Sequence, residues 1–282
     1  MPTILVAGAT GQLGRCVVRE LKQQGHSVRV IARHPASIVA DEKLQADLTN
    51  PDTLNGVCKN VDAVISCAGA SMQMSGFGNR QSFYQVDWQG NANLLAEAQR
   101  QRVPKFVYVS LAHANELRRV EYADAHARFA EALQASGLPH TVVSPTGFFG
   151  FMLEILKYAK QGRGVLIGNG SCRTNPIHEA DVARACVEAL ASNERELPIG
   201  GPETFTRKEI TELAFDVLGH TPKLMRVAPA LFNGLIAPLK LINPRLHALM
   251  AFGVAVTQID CVAPRYGTQR LRDYFAAAVP RL

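Results

Sequence analysis

The chain has 282 residues, of which 47% are apolar and 19% charged, with a formal net charge of +6. That length holds one large α/β domain, or one with a smaller lobe, and buries a sizeable core. The 30 Lys and Arg are scattered rather than striped, which argues against a nucleic-acid partner. The six Cys form no C-x-x-C pair and keep no metal-ligand spacing with His, so no metal is expected and the thiols read as reduced. The first strand starts at once, without a basic-then-apolar leader; the expectation is a cytoplasmic protein.

Residues 3–7 are a short apolar, partly β-branched run that reads as a buried parallel strand. It feeds into Gly8-Ala9-Thr10-Gly11-Gln12-Leu13-Gly14 and then a helical pattern. The first glycine of such a triplet allows a tight turn, the second lets backbone approach a pyrophosphate, and the third lets the helix pack on the sheet. The helix start then offers N–H groups and a positive dipole end to phosphates. The alternative is a plain strand-to-helix turn. Further strands are expected at 27–32, 63–67 and 105–110, with helices at 13–24, around 54–57 and at 89–101. The alternation predicts βαβ units with right-handed crossovers and a doubly wound parallel sheet.

Arg33 follows the second strand, where an acid would bind the ribose 2′-hydroxyl of NAD. An Arg offers its fork to a 2′-phosphate, which predicts NADP(H) over NAD(H). Asp47 and Leu48, after a further short run at 43–46, suit the adenine amino group and ring; the plainer role for Asp47 is a helix cap. Cys67, Ala68 and Gly69 are small residues that leave room for a cofactor at the sheet edge. Residues 71–80 read as a loop near the site, with Met72 and Met74 as substrate contacts or simple filler. Tyr122 and His126 share one face of a helix. A strand at 141–144 releases Pro145, Thr146, Gly147 and Phe148 at its carboxyl end, where ligands sit in such sheets. Phe148, Phe149 and Phe151 line a substrate pocket or belong to the core. His178 precedes a helix expected at 182–191 and reads as ordering that loop rather than as an acid or base.

Several stretches carry a family resemblance: the glycine turn at 8–14, V-D-W-Q-G-N at 86–91, K-F-V-Y-V-S at 105–110, A-S-G-L-P-H-T at 135–141, P-T-G-F-F at 145–149 and N-P-I-H-E-A-D-V-A at 175–183. In order and spacing they resemble the atypical short-chain dehydrogenase/reductases, in the NmrA-like group of NAD(P)H-binding proteins. The resemblance implies a Rossmann core over 1–150 and a smaller, mostly helical lobe over 151–282, with some segments returning to the core. Active members use a Ser, a Tyr and a Lys, which the resemblance maps to Ser110, Tyr122 and the position of His126. A neutral His can bond the nicotinamide ribose but supplies no permanent charge at pH 7.

Residues 206–209, Thr-Arg-Lys-Glu, form a capping-box pattern. Residues 228–256 are nearly uncharged yet broken by Pro and Gly. They suit, in this order, a lid over an apolar substrate, a subunit interface, or a shallow membrane contact. The expected function is an NADPH-dependent reductase of a small apolar carbonyl, enone or quinone. The alternative is a non-catalytic NADP(H) sensor or accessory protein, since relatives by resemblance include redox sensors and a respiratory complex I accessory subunit.

Overall fold

The computed structural model describes residues 1–35, 37–70 and 81–282. The expected contacts of Met72 and Met74 therefore lie outside the described residues. The chain divides into two compact units, residues 1–144 with 182–197, and residues 145–181 with 198–282. The first unit thus ends six residues earlier than the sequence pattern suggests, and the chain returns to it at 182–197.

The first unit opens with β1 (Thr3–Ala7), α1 (Gln12–Gln23), β2 (Ser27–Ala32), β3 (Glu42–Gln45) and β4 (Ala63–Ser66). It continues through α2 (Asn91–Arg100), β5 (Phe106–Val109), α3 (Glu121–Ala135) and β6 (His140–Pro145). The buried residues of α1 are Gly14, Val17, Val18 and Leu21, one stripe at helical spacing. Gly25, at φ +80°, ends that helix. Its N–H and that of His26 bond the carbonyls of Lys22 and Leu21, which satisfies the last turn.

The sheet has seven strands in the order β3-β2-β1-β4-β5-β6-β9, with β9 at Glu196–Ile199. The neighbours of β1 are the parallel strands β2 and β4. The order reverses there, and that is where doubly wound sheets open a ligand crevice at their carboxyl ends. Leu5, Val64, Phe106, Tyr108 and Val142 join Leu94, Leu95, Phe129 and Leu133 of α2 and α3 in one core. Their strand neighbours Ile4, Val6, Val30, Ile65, Val107 and Val143 are equally buried. Both faces are covered, as a parallel sheet requires.

Three local expectations are corrected. The run at 54–57 is preceded by a single 3₁₀ turn, Pro51–Leu54, rather than forming a helix, and Asn50 caps it. The helix expected at 89–101 is a π-helical stretch, Tyr84–Gly90, that continues as α2. The helix expected at 182–191 is α5, Glu179–Glu188. Asp181 accepts from the N–H groups of Thr268 and Gln269 instead of opening that helix.

The second unit holds α4 (Phe149–Lys160), β7 (Gly164–Ile167), β8 (Arg173–Thr174), β10 (Phe205–Thr206), α6 (Arg207–Val217) and β11 (Leu224–Val227). Four further helices follow, α7 (Pro229–Ile236), α8 (Leu239–Ile242), α9 (Pro244–Val256) and α10 (Leu271–Ala278). Phe149, Leu156, Ile210, Phe215, Leu271 and Phe275 make its core between α4, α6 and α10. Thr206 and Glu209 exchange both bonds of the capping box. Among the described residues no helix is long and apolar enough to cross a membrane.

Glu179, at the start of α5, is buried and accepts the Gly150 N–H through Oε1 at 3.0 Å. Burial raises its pKa above the usual 4.5. A carboxyl whose folded pKa is raised favours the fold when protonated. Its contribution is present below the unfolded pKa and lost as pH rises through the folded value. Glu179→Gln keeps the acceptor without the charge. The variant should be more stable than the parent at neutral pH and should lose part of the decline in stability above pH 4.5. Denaturant unfolding across that range checks both.

Candidate dinucleotide and reductase site

The loop after β1 is shaped by contacts that leave no space for side chains. Gly8 sits at φ +79°, and a Cβ there would lie 2.6 Å from the Cys67 carbonyl carbon and oxygen. A Cβ on Gly14 would lie 2.2 Å from the Gly8 carbonyl oxygen. These two glycines are required by the fold itself. Gly11 is different. It is exposed, and a Cβ there would meet only the Gly8 oxygen, at 3.4 Å. Nothing in the protein forces a glycine at 11, whereas a pyrophosphate passing over the turn would.

Helix α1 starts there with neither a side-chain cap nor an acid in its first turn. Gln12 and Leu13 begin it, and Thr10 precedes it with its carbonyl accepting from Arg15 Nε at 3.1 Å. Arg15, which the motif reading passed over, is exposed and adds positive charge to the turn. Arg33 stands exposed just past β2, and among the described residues it has no hydrogen-bond or ion-pair partner. The turn, the helix start and the positive charge of Arg15 suit the phosphates of a dinucleotide.

Asp47 is committed more locally. Its Oδ1 accepts the Thr49 N–H and hydroxyl at 2.9 and 2.8 Å. Leu48 packs on the core, and its carbonyl accepts from Asn93 Nδ2. Cys67, Ala68 and Gly69 leave β4 beside the glycine turn and are fixed by a buried polar network. Ser66 Oγ donates to Asn91 Oδ1 at 2.5 Å. Asn91 Nδ2 donates to the carbonyls of Ala68 and Asp87 at 3.1 and 2.8 Å. Asp87 Oδ2 accepts the Ala70 N–H at 3.0 Å, and a Cβ on Gly69 would lie 2.8 Å from Asp87 Oδ1. Burial pushes the Cys67 thiol up to about 12, so it stays protonated at neutral pH and is no nucleophile.

The same network receives His126. Its Nδ1 lies 2.6 Å from the hydroxyl of Tyr108, a fully buried side chain on β5. Its Nε2 lies 3.2 Å from Asp87 Oδ1, although the two atoms are not aligned for a hydrogen bond. The carboxylate favours the proton on Nε2, leaving Nδ1 to accept from Tyr108. Tyr122 stands on the same face of α3, its ring edge-on to Phe83 at 5.1 Å and to His126 at 4.7 Å. Burial, and then the Asp87 charge, raise its pKa well above that of an ordinary phenol. The family's Lys would act in the opposite direction. Ser110, two residues beyond Tyr108, is buried at the end of β5, its N–H bonded to the Val143 carbonyl.

In the second unit, Pro145 ends β6, and Thr146, Gly147 and Phe148 follow. Thr146 Oγ1 donates to the Asn175 carbonyl at 2.5 Å, and the Ile177 N–H donates to the Gly147 carbonyl at 2.8 Å. Phe148 faces Phe151 at 6.0 Å, whereas Phe149 is core. His178 orders its own loop, its Nδ1 accepting the Ala180 N–H at 3.0 Å. Among the described residues no group of three or more His, Cys, Asp or Glu is placed to hold a metal.

Residues 8–193 match the NAD(P)H-binding family. The chain belongs to that family. It is 27% identical to the chloroplastic divinyl chlorophyllide a 8-vinyl-reductase of Arabidopsis thaliana, over 98% of this chain and 76% of that one. It is 26% identical to the photosystem II assembly factor Ycf39 of Synechocystis, over 82% and 72%. Among solved structures, an NADPH-dependent quinone oxidoreductase of Escherichia coli, complexed with NADPH, superposes with a TM-score of 0.74. That pair covers 98% of this chain and 99% of the other at 19% identity, a likeness of fold.

The glycine geometry separates two variants. Gly14→Ala drives a methyl into backbone and should destabilise by about 1–3 kcal/mol, as overpacking does. Gly11→Ala should leave thermal stability within about 0.5 kcal/mol yet weaken dinucleotide binding at least roughly tenfold, because the methyl stands where the pyrophosphate comes close. Thermal unfolding and calorimetric titration read the two effects. Normal nucleotide affinity in Gly11→Ala would remove the pyrophosphate from this turn.

Proposed function

We propose that the protein is an NADP(H)-dependent reductase that transfers a hydride to an apolar, conjugated acceptor, an enone, vinyl group or quinone. The observation that carries the cofactor preference is the exposed, unpaired Arg33 at the end of β2. Its planar fork matches a 2′-phosphate, and no acid occupies the position beside it where a 2′-hydroxyl would be bound. The nicotinamide, when bound, supplies the hydride; the chain positions the acceptor beside it.

The acceptor class follows from what surrounds Tyr122. Reducing an isolated ketone builds charge on one oxygen and calls for a proton donor of matched pKa. Here burial and Asp87 make Tyr122 a weaker acid, and His126 is committed to Tyr108 and faces Asp87. A conjugated acceptor spreads the incoming charge and can take its proton from water. The vinyl reductase and quinone oxidoreductase named among the similar proteins act on acceptors of that kind. A second reading, an NADP(H)-responsive accessory protein, is favoured by the same weak acid apparatus and by the similarity to an assembly factor.

Calorimetric titration with NADPH, NADP, NADH and NAD, followed by turnover with quinone, enone and ketone panels, tests both. Tight NADPH binding with oxidation by conjugated acceptors is expected. Tight binding without turnover would leave the accessory reading. Arg33→Ala should weaken NADP(H) roughly tenfold or more, as loss of a charge-assisted bond does, and barely change NAD(H). An equal loss for both would overturn the NADP preference.

Tyr122→Phe should keep kcat for a quinone within about threefold, whereas a true general acid would cost roughly a hundredfold or more. Stopped-flow NADPH oxidation measures it.

A further inference from the structure

Residues 217–259 contain no Asp or Glu, although at the chain's average density about four would fall there. The same stretch carries Lys223, Arg226, Lys240 and Arg245. Lys223, Arg226 and Lys240 are exposed, and among the described residues none of the three is in an ion pair. Large apolar side chains stand out from the same segment. Leu231 and Leu235, one turn apart on α7, are 60% and 68% exposed, and Leu241 and Ile242 of α8 are 90% and 78% exposed. Both helices pack against α9, and these four side chains point away from any core.

A lid would turn its apolar side chains inward, and these are turned out. A twofold interface that paired this segment with its own copy would set Lys240 and Arg226 against a segment that carries no acid, so like charges would oppose its closure. An anionic partner meets no such opposition. Exposed apolar residues beside the unpaired Lys240, on helices too short to span a bilayer, with Arg226 on β11 as a further unpaired cation, match the requirements for lying in a lipid interface.

We propose that α7 and α8 dock the protein on an anionic membrane surface, with Leu231, Leu235, Leu241 and Ile242 entering the acyl boundary and Lys240 and Arg226 meeting lipid phosphates. The inference is independent of the nucleotide chemistry, because all of these residues lie in the second unit and none belongs to the dinucleotide turn.

Vesicle flotation tests it, with phosphatidylcholine alone and with about 30% phosphatidylglycerol. The full chain should float with the anionic vesicles, release at high salt, and stay unbound with phosphatidylcholine. Lys240→Gln should weaken binding roughly fivefold, the contribution of one cation at an anionic leaflet. Leu241→Glu with Ile242→Glu should abolish binding, while NADPH affinity and the far-ultraviolet circular dichroism remain those of the parent.

Absence of flotation with anionic vesicles would overturn the proposal, as would flotation that the double variant leaves intact. Sedimentation velocity adds the competing occupant. A parent dimer that the double variant converts to monomers, without vesicle binding by the parent, would assign the face to a second copy.

Discussion

The dinucleotide turn depends on one buried arrangement, the bonds that tie the exit of β4 to Asp87 and Asn91. Ser66, Asp87 and Asn91 have no measurable exposure, so each polar group there must be met inside the protein. Asn91 uses both ends of its amide, accepting from Ser66 and donating to the carbonyls of Ala68 and Asp87. Asp87 then holds the Ala70 N–H, and its carboxylate fills the space a side chain on Gly69 would need. The Cys67 carbonyl held in this way is the surface against which Gly8 is packed. A slack loop after β4 would let the glycine turn drift. Within Ser66, Asn91 and Asp87 every side-chain polar atom but Asp87 Oδ1 is hydrogen-bonded, and that atom faces His126 Nε2 at 3.2 Å.

The same network accounts for the departure from the Ser, Tyr and Lys pattern that the resemblance implies. A Lys at the position of His126 would need a place for its charge. The His turns its ring between the Tyr108 hydroxyl and the Asp87 carboxylate instead. Tyr122 consequently has a carboxylate rather than a cation among its neighbours, and its phenol is harder to deprotonate. Substitution at one position changes the electrostatic sign of the neighbourhood, and the proposed acceptor class rests on that change.

Much of this was legible in the sequence because it is local. The strand, glycine turn and helix over residues 3–23 follow from periodicity and from the need for close backbone approach, and the capping box at Thr206 and Glu209 from a four-residue pattern. What escaped was tertiary. The π-helical stretch before α2 has no signature in apolar spacing. Tyr108 reads as an ordinary strand residue until α3 brings His126 to its hydroxyl. Asp87 and Asn91 were visible only as parts of a resemblance, because their partners lie in β4 and the loop after it. Asp181 resembled a helix cap, but its acceptor atoms are taken by Thr268 and Gln269, nearly ninety positions away. Residues chosen by distant neighbours cannot be read from adjacent ones.

Net charge gives a last instance of the same separation of scales. A balance of +6 suits an anionic dinucleotide when the chain is treated as a whole. Yet four of the basic residues lie at 217–259 without a single acid among them, so most of the excess belongs to the second unit. The dinucleotide reading in the first unit needs only a few placed groups, the start of α1 with Arg15 and, for the proposed preference, Arg33, and such groups act at contact distance. Charges spread over an exposed face act differently. They set a field that steers an anionic partner over roughly 8–10 Å and fades with added salt. The excess of positive charge is therefore a property of the second unit, whereas the proposed choice between nucleotides rests on a single guanidinium in the first.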